Sequence, residues 1–240
     1  MSERLFDLIG VDGDDTLWHN ERDYVEARDR FGAMVRRYGV SISEEDLTDA
    51  VNRTELQNIP FFGYGVSSFA LSLIETAIGL TGGRIQGQQL QEILSVAKSM
   101  ITSPVELFEG AREALEALAP VCPLVLITKG DLLHQRSKLD RSRLAPHFRH
   151  IEVVSHKTPD VYAEILSRLG AEPSRFLMVG NSPRSDILPV LALGGWAVHV
   201  PAALSWSHEH EELPAEGGEK CGVLESLLGL PQLLQDWAAR

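Results

Sequence analysis

The chemistry in this chain gathers just after its first apolar run. Leu5 to Val11 is followed by Asp12, Asp14, Asp15 and Thr16, so carboxylates crowd a few neighbouring residues. Carboxylates packed this closely repel one another unless a cation, a proton or open water intervenes. A hard divalent cation with oxygen ligands suits the setting, and Mg2+ is the usual choice where a phosphate is also bound. Further candidates stand at the ends of later apolar runs: Thr128 and Lys129, then Lys157, then Asn181 and Asp186. Together they offer a nucleophile, an acid or base, hydroxyl and ammonium groups for an oxyanion, and a second acidic position to close a metal site. That set suits phosphoryl transfer through a covalent aspartyl-phosphate. The plainer alternative for the first cluster is a solvated acidic turn after an edge strand, since Asp and Gly are ordinary turn residues.

For these residues to meet, the runs before them must be strands of one sheet. The run ending at Val11 reads as a buried strand, and the C-terminal ends of such strands are where α/β sheets hold ligands. Past Trp18 the hydrophobic period changes to that of helices: about Asn20 to Tyr38, one opened by Ser43, about Ser67 to Ile78, and about Gln88 to Met100. Between the second and third lies an aromatic loop, Ile59–Gly65, whose Phe61, Phe62 and Tyr64 are expected to pack into the helical core. Residues 19–105 therefore read as an all-helical insertion. From Glu109 helices and strands alternate. Strands are expected at Pro123–Thr128, Ile151–Val154, Arg175–Val179 and Trp196–Val200, with helices between them. This alternation predicts an α/β fold, a Rossmann-like doubly wound parallel sheet. Its core would comprise residues 1–18 and 106–240. Ser205–Lys220 reads as an acidic surface loop, and a last amphipathic helix is expected from about Leu224.

The composition narrows the partners. With 240 residues, 44% hydrophobic and 23% charged, the chain can bury a sizeable core in water. A net charge of −12 argues against nucleic acid, though it leaves room for a small phosphorylated substrate met by locally placed cations. Cys122 and Cys221 form no disulfide pattern, the start carries no signal peptide, and no apolar run approaches membrane-spanning length. A cytoplasmic protein, monomeric or homodimeric, with no membrane partner, is the expectation.

Val11-Asp12-Gly13-Asp14-Asp15-Thr16-Leu17 resembles the first motif, DxDxT, of the haloacid dehalogenase-like hydrolase superfamily. Ile127-Thr128-Lys129-Gly130 is similar to its second motif, Lys157 with Pro159 to its third, and Gly180-Asn181-Ser182-Pro183-Arg184-Ser185-Asp186 to its fourth. The four stand in the family's order and span most of the chain. The helical insertion resembles the family's C1 cap. The resemblance implies a Mg2+-dependent phosphomonoesterase with Asp12 as nucleophile and Asp14 as general acid, then base. Thr128 and Lys157 would hold the phosphoryl oxygens. Thr16, Lys129, Gly130 and Arg184 would contact substrate, and Asp12, Asp14 through its carbonyl, Asp186 and Asn181 would hold the metal. Dehalogenases of the superfamily lack the second Asp of the first motif, so Asp14 favours phosphatase. A 2-haloacid dehalogenase and a phosphate-binding or phospho-accepting module without turnover are the alternatives. Asp15 departs from the family's usual Gly and is expected to point into the turn. Asn181 departs from a common Asp. His19 is expected to face water.

Overall fold

The computed structural model describes residues 4–204, 206–209, 211–213 and 218–239. The chain divides into two compact units. One comprises Met1–Glu21, Val105–Lys129 and Gln135–Arg240, the other Arg22–Pro104 and Gly130–His134.

The first unit is built on six parallel strands: β1 (Leu8–Val11), β2 (Leu124–Lys129), β3 (His150–Val154), β4 (Phe176–Gly180), β5 (Trp196–His199) and β6 (Cys221–Val223), in the order β3-β2-β1-β4-β5-β6. The central strands are apolar except for Thr128 and Lys129 at the end of β2, and buried at every position but Lys129, because both faces are covered, as a parallel sheet requires. Alternation divides their side chains between two cores. Ile9, Val11, Leu124, Leu126, Leu177 and Val179 pack with helices α5 (Ala111–Leu118), α6 (Leu132–Ser142) and α9 (Leu230–Ala238). Leu8, Val125, Ile127, Phe176 and Met178 pack with α7 (Pro159–Leu169) and α8 (Leu188–Ala192) on the other face. The fold is an α/β, Rossmann-like doubly wound sheet. The chain leaves β1 towards β3 on one side and continues from β4 to β6 on the other. The order therefore reverses between β1 and β4, and such a switch point opens a crevice at the strand C-termini.

The second unit carries four helices, α1 (Glu21–Arg37), α2 (Glu44–Phe62), α3 (Val66–Leu80) and α4 (Gly87–Thr102), the first beginning one residue before the unit does. Phe31, Val51, Phe69, Leu73 and Ile93 lead its separate core. Ser43 caps α2, its hydroxyl accepting from the Asp46 N–H at 3.0 Å, as the sequence pattern suggests.

Several expectations fail for identifiable reasons. The aromatic loop at Ile59–Gly65 is in large part helix, because α2 runs through Pro60 to Phe62. Pro60 lies in the last turn, where it removes a single backbone bond, and the Gly63 N–H closes the helix on the Ile59 carbonyl at 2.8 Å. The core-packing expectation for Phe61 and Phe62 is overturned: Ile59 turns inward, while they are 80% and 56% exposed. The loop after β4 contains a π-helical turn, Pro183–Ile187, and the tail contributes β6, neither of which the hydrophobic pattern signals. The last helix starts at Leu230, after a 3-10 turn at Leu227–Gly229. Of the expected Ser205–Lys220 loop, Ser205, His210 and residues 214–217 lie outside the described residues. No helix of the described residues is long and apolar enough to cross a membrane.

Candidate active site

Asp12 follows β1 directly, and its N–H continues the ladder to the Val179 carbonyl at 2.9 Å. The chain then turns sharply, with the N–H groups of Thr16, Leu17 and Trp18 all pointing at the Gly13 carbonyl. A Cβ at Gly13 would lie 2.7 Å from the Trp18 ring and 3.4 Å from the Thr128 hydroxyl, so the turn demands glycine and brings Thr128 beside it. Asp15 sits at φ 58°, a left-handed conformation that Asp tolerates better than most residues. Its carboxylate accepts from the backbone N–H groups of Asn20 and Glu21 at 2.9 and 3.0 Å, at the start of α1. Asp15 thus points into the turn as expected and serves as a helix cap. Burial pushes its pKa up to about 7, against those two N–H groups.

Asp12 shares one cation with Asp186. Lys157, between β3 and α7, donates to Asp12 Oδ1 at 2.5 Å and to Asp186 Oδ1 at 2.6 Å, and all three side chains are buried. The second Asp186 oxygen accepts from the Ser182 N–H at 3.0 Å. A Cβ at Gly180 would collide with the Asp186 carboxylate at 2.2 Å, so only glycine there lets the π-helical turn swing Asp186 inward. Burial pushes Asp12 up to about 7, with Lys157 opposing and Asp186 adding to the rise. For Lys157 burial works against the charge, yet Asp12 and Asp186 outweigh it and keep the ammonium firmly protonated.

Asp14, two residues on, has a different set of partners. Lys138 donates to its Oδ1 at 2.5 Å, the Trp18 indole to the same oxygen at 2.6 Å, and the Gln135 amide to Oδ2 at 2.7 Å. Burial alone would raise this carboxyl, but Lys138, with the Gln135 and Trp18 donors, overrules it and holds the pKa below the usual range. A carboxylate so held is ionised, which suits a base directly and an acid only after it parts from Lys138.

Thr16, expected to contact substrate, is buried, and its hydroxyl sits 3.0 Å from Asp12 Oδ2 and 3.2 Å from Asn181 Oδ1 while accepting from the Asn181 N–H at 3.0 Å. It ties the first motif to the fourth. Lys129 and Arg184, also expected at substrate, are bound by residues of the tail. Lys129 pairs with Glu209 and reaches the Ser185 hydroxyl at 2.9 Å, and Arg184 donates to the His208 carbonyl at 3.1 Å. Burial would raise Glu209, but Lys129 and the serine hydroxyls pull it down to about 2. Gly130 takes φ 125°, open to glycine. His19, expected to face water, is half-buried and stacks on Phe108 with ring centroids 3.9 Å apart.

The structure thus gathers Asp12, Thr16, Lys157, Asn181 and Asp186 into one bonded network, with Thr128 against the Gly13 turn. Sequence reading missed Trp18, Gln135, Lys138, Ser182, Ser185 and Glu209. Gln135 and Lys138 carry a weak signal, polar side chains three apart on an otherwise core-facing part of α6. Glu209 carries none.

The oxygen donors fit a hard cation. Asp12 and Asp186 converge on one positive charge, and the Asn181 amide lies one hydroxyl away. Among the described residues there is no group of three His, Cys, Asp or Glu side chains able to hold a metal. Mg2+ suits such a site because it commonly takes one or two carboxylates and completes its shell with waters and substrate phosphate.

A rat (Rattus norvegicus) N-acylneuraminate-9-phosphatase is 27% identical to this chain over 168 residues, 67% of this chain and 65% of the relative. The chain therefore aligns with slightly less than two thirds of that relative's length. A haloacid dehalogenase-like family hydrolase from Xanthomonas campestris superposes with a TM-score of 0.87 at 38% identity, covering 100% of this chain and 94% of the other. A 2-haloacid dehalogenase from Pseudomonas syringae shares the fold alone, at TM-score 0.64 and 20% identity over 97% of this chain and 99% of its own. The family model for haloacid dehalogenase-like hydrolases matches residues 6–194, which contain every motif and the whole network around Asp12, and the chain belongs to that family of hydrolases.

Proposed function

We propose that this hydrolase cleaves the phosphomonoester of a small metabolite through an aspartyl-phosphate on Asp12, with Mg2+ as cofactor. The observation that carries the reading is Asp14, a second, half-buried carboxylate two residues from the nucleophile and bonded to Lys138. A phosphatase needs such a group to manage protons at the leaving oxygen and the attacking water, and the phosphatase named among the relatives supports the same class. Displacement of halide from carbon needs no protonated leaving group.

Asp12 attacks phosphorus, the ester P–O bond breaks, and its electron pair goes to the leaving oxygen, which takes a proton from Asp14 after Asp14 has parted from Lys138 and become protonated, leaving Asp14 ionised for the second step. Water then attacks phosphorus and gives a proton to Asp14, and the Asp12–phosphorus bond breaks to restore the carboxylate. Lys157 and Thr128 offset charge on the phosphoryl oxygens. Asp12, Asp186, Asn181 and the Asp14 carbonyl are the residues assigned to hold Mg2+, which when bound supplies charge stabilisation to the phosphoryl group. The helical unit is assigned the role of a cap that excludes water and selects the leaving group. The free thiols of Cys122 and Cys221 suit a reducing, cytoplasmic setting.

The test is a screen of phosphorylated metabolites with and without Mg2+, run beside a halide-release assay on 2-haloacids. Mg2+-dependent release of phosphate is expected. Metal-independent halide release with no phosphate release would establish the dehalogenase instead.

A further inference from the structure

The tail brings one carboxylate to the rim of the site. Glu209 is bound by three donors: the Lys129 ammonium, the Ser182 hydroxyl at 2.5 Å and the Ser185 hydroxyl at 2.6 Å. The Lys129 and Glu209 side chains are only 17% and 16% exposed. Neighbouring residues fasten the same segment, through the His208 carbonyl on Arg184 and an Arg184–Glu211 pair at 3.7 Å. Lys129 ends β2 and the two serines follow β4, and these strands flank β1 on either side. Glu209 therefore links the strands on both sides of the one that carries Asp12. Lys129 also follows Thr128 directly, so its ammonium is the nearest cation in sequence to a group assigned to the phosphoryl oxygens.

We infer that Glu209 is a specificity-determining residue that sets the anion affinity of the site by occupying Lys129 and withholding its charge from an incoming phosphate monoester. The inference rests on the phosphomonoester reading above. A dianion beside a free ammonium binds more tightly as substrate and as released phosphate alike, and uniform tightening lowers KM without raising kcat. Pairing with Glu209 cancels that charge, and the same pairing keeps the Glu209 carboxylate from repelling the substrate. Neither charge is expressed while both residues are present.

The test uses the full chain with inorganic phosphate as the probe. Its dissociation constant is measured by calorimetry, and its competitive inhibition constant wherever turnover is seen, for wild type, Glu209→Gln, Lys129→Met and the double variant. One unit charge beside a dianion in partly solvated surroundings is worth roughly a factor of ten. Glu209→Gln is expected to tighten phosphate by about that factor and Lys129→Met to weaken it similarly. The double variant returns to within about threefold of wild type, and KM moves more than kcat. A strut that only held the loop would shift both single variants in the same direction, and that result, or no shift in either, overturns the inference. If Glu209→Gln does not fold, Lys129→Met must still weaken phosphate and the double variant must restore it; failure of either overturns it. Absence of phosphate binding in all four proteins does so too. Opposite shifts in a protein that hydrolyses no phosphate ester would retain the role of Glu209 as setter of anion affinity while removing the proposed reaction. Turnover without opposite shifts would do the reverse.

Discussion

Asp12 and Asp14 stand two residues apart after one strand, yet their surroundings push them in opposite directions. Burial lifts Asp12 to about 7, and Lys157 only partly opposes this because Asp12 shares that single ammonium with Asp186, whose charge adds to the rise. Asp14 shares Lys138 with no second carboxylate, only with the neutral Asn20 amide oxygen, while Trp18 and Gln135 add donors that bring no competing charge, and its pKa falls. Burial raises both, although the Asp14 side chain is 23% exposed against 8% for Asp12, and the ratio of cations to carboxylates sets the opposite directions. A cation held between Asp12 and Asp186 would restore the balance there and lower Asp12, which an attacking carboxylate requires. Asp14 needs no such help to be ionised.

The comparison breaks first at Asp12. Asp12→Asn is expected to reduce turnover by at least about a thousandfold, because the amide cannot form the phosphorylated intermediate. The fold should persist, since Lys157 keeps Asp186; turnover and a thermal melt check both parts. Asp14→Asn is expected to cost about 10²–10⁴ in rate, the range for a placed acid or base. If Asp14 parts from Lys138 to act as acid, esters with poor leaving groups lose more than activated aryl phosphates. If it serves only as base in the second step, the two classes lose equally.

Stability sharpens the contrast. Lys157→Met leaves two buried carboxylates facing each other and should cost about 3–5 kcal/mol, the usual loss on breaking a buried pair. Lys138→Met leaves one carboxylate with two neutral donors and should cost less. Urea unfolding of both variants measures the gap, and an equal loss would undo the argument from charge ratio.

The smallest effect concerns Asp15. Its folded-state pKa of about 7 lies above the ordinary 3.8, so between those values the folded protein holds a proton that the unfolded chain has released. Its contribution to stability therefore falls as pH rises through that window and levels off above 7. Asp15→Asn removes the titration while leaving an oxygen for the Asn20 and Glu21 N–H groups. The variant should gain on wild type from pH 5 to pH 8 in urea unfolding, because the Asp12 titration is common to both proteins and cancels. A constant difference across that range would show that Asp15 does not titrate there.

The sheet and most of the site were legible in the sequence for a physical reason. Strands buried on both faces must be largely apolar, and the residues at or just past their C-terminal ends, Asp12, Thr128, Lys157, Asn181 and Asp186, are brought to one end of the sheet by parallel topology. Local turn chemistry was legible too, since Asp15 beside Gly13 states a tight turn and Ser43 states a cap. Tertiary structure alone decided who partners whom. Lys138 and Gln135 reach Asp14 across more than a hundred residues, and Glu209 reaches Lys129 from a segment whose composition resembles any solvated acidic loop. Exposure of Phe61 and Phe62 was equally hidden, because an aromatic pair after Ile59-Pro60 looks like packing until α2 is seen to run through the proline and turn Ile59 inward. Hydrophobic period and strand ends are properties of neighbouring residues, so a sequence carries them. The charge balance that separates Asp12 from Asp14 depends on ammonium groups brought in from other elements, and only the folded chain sets it.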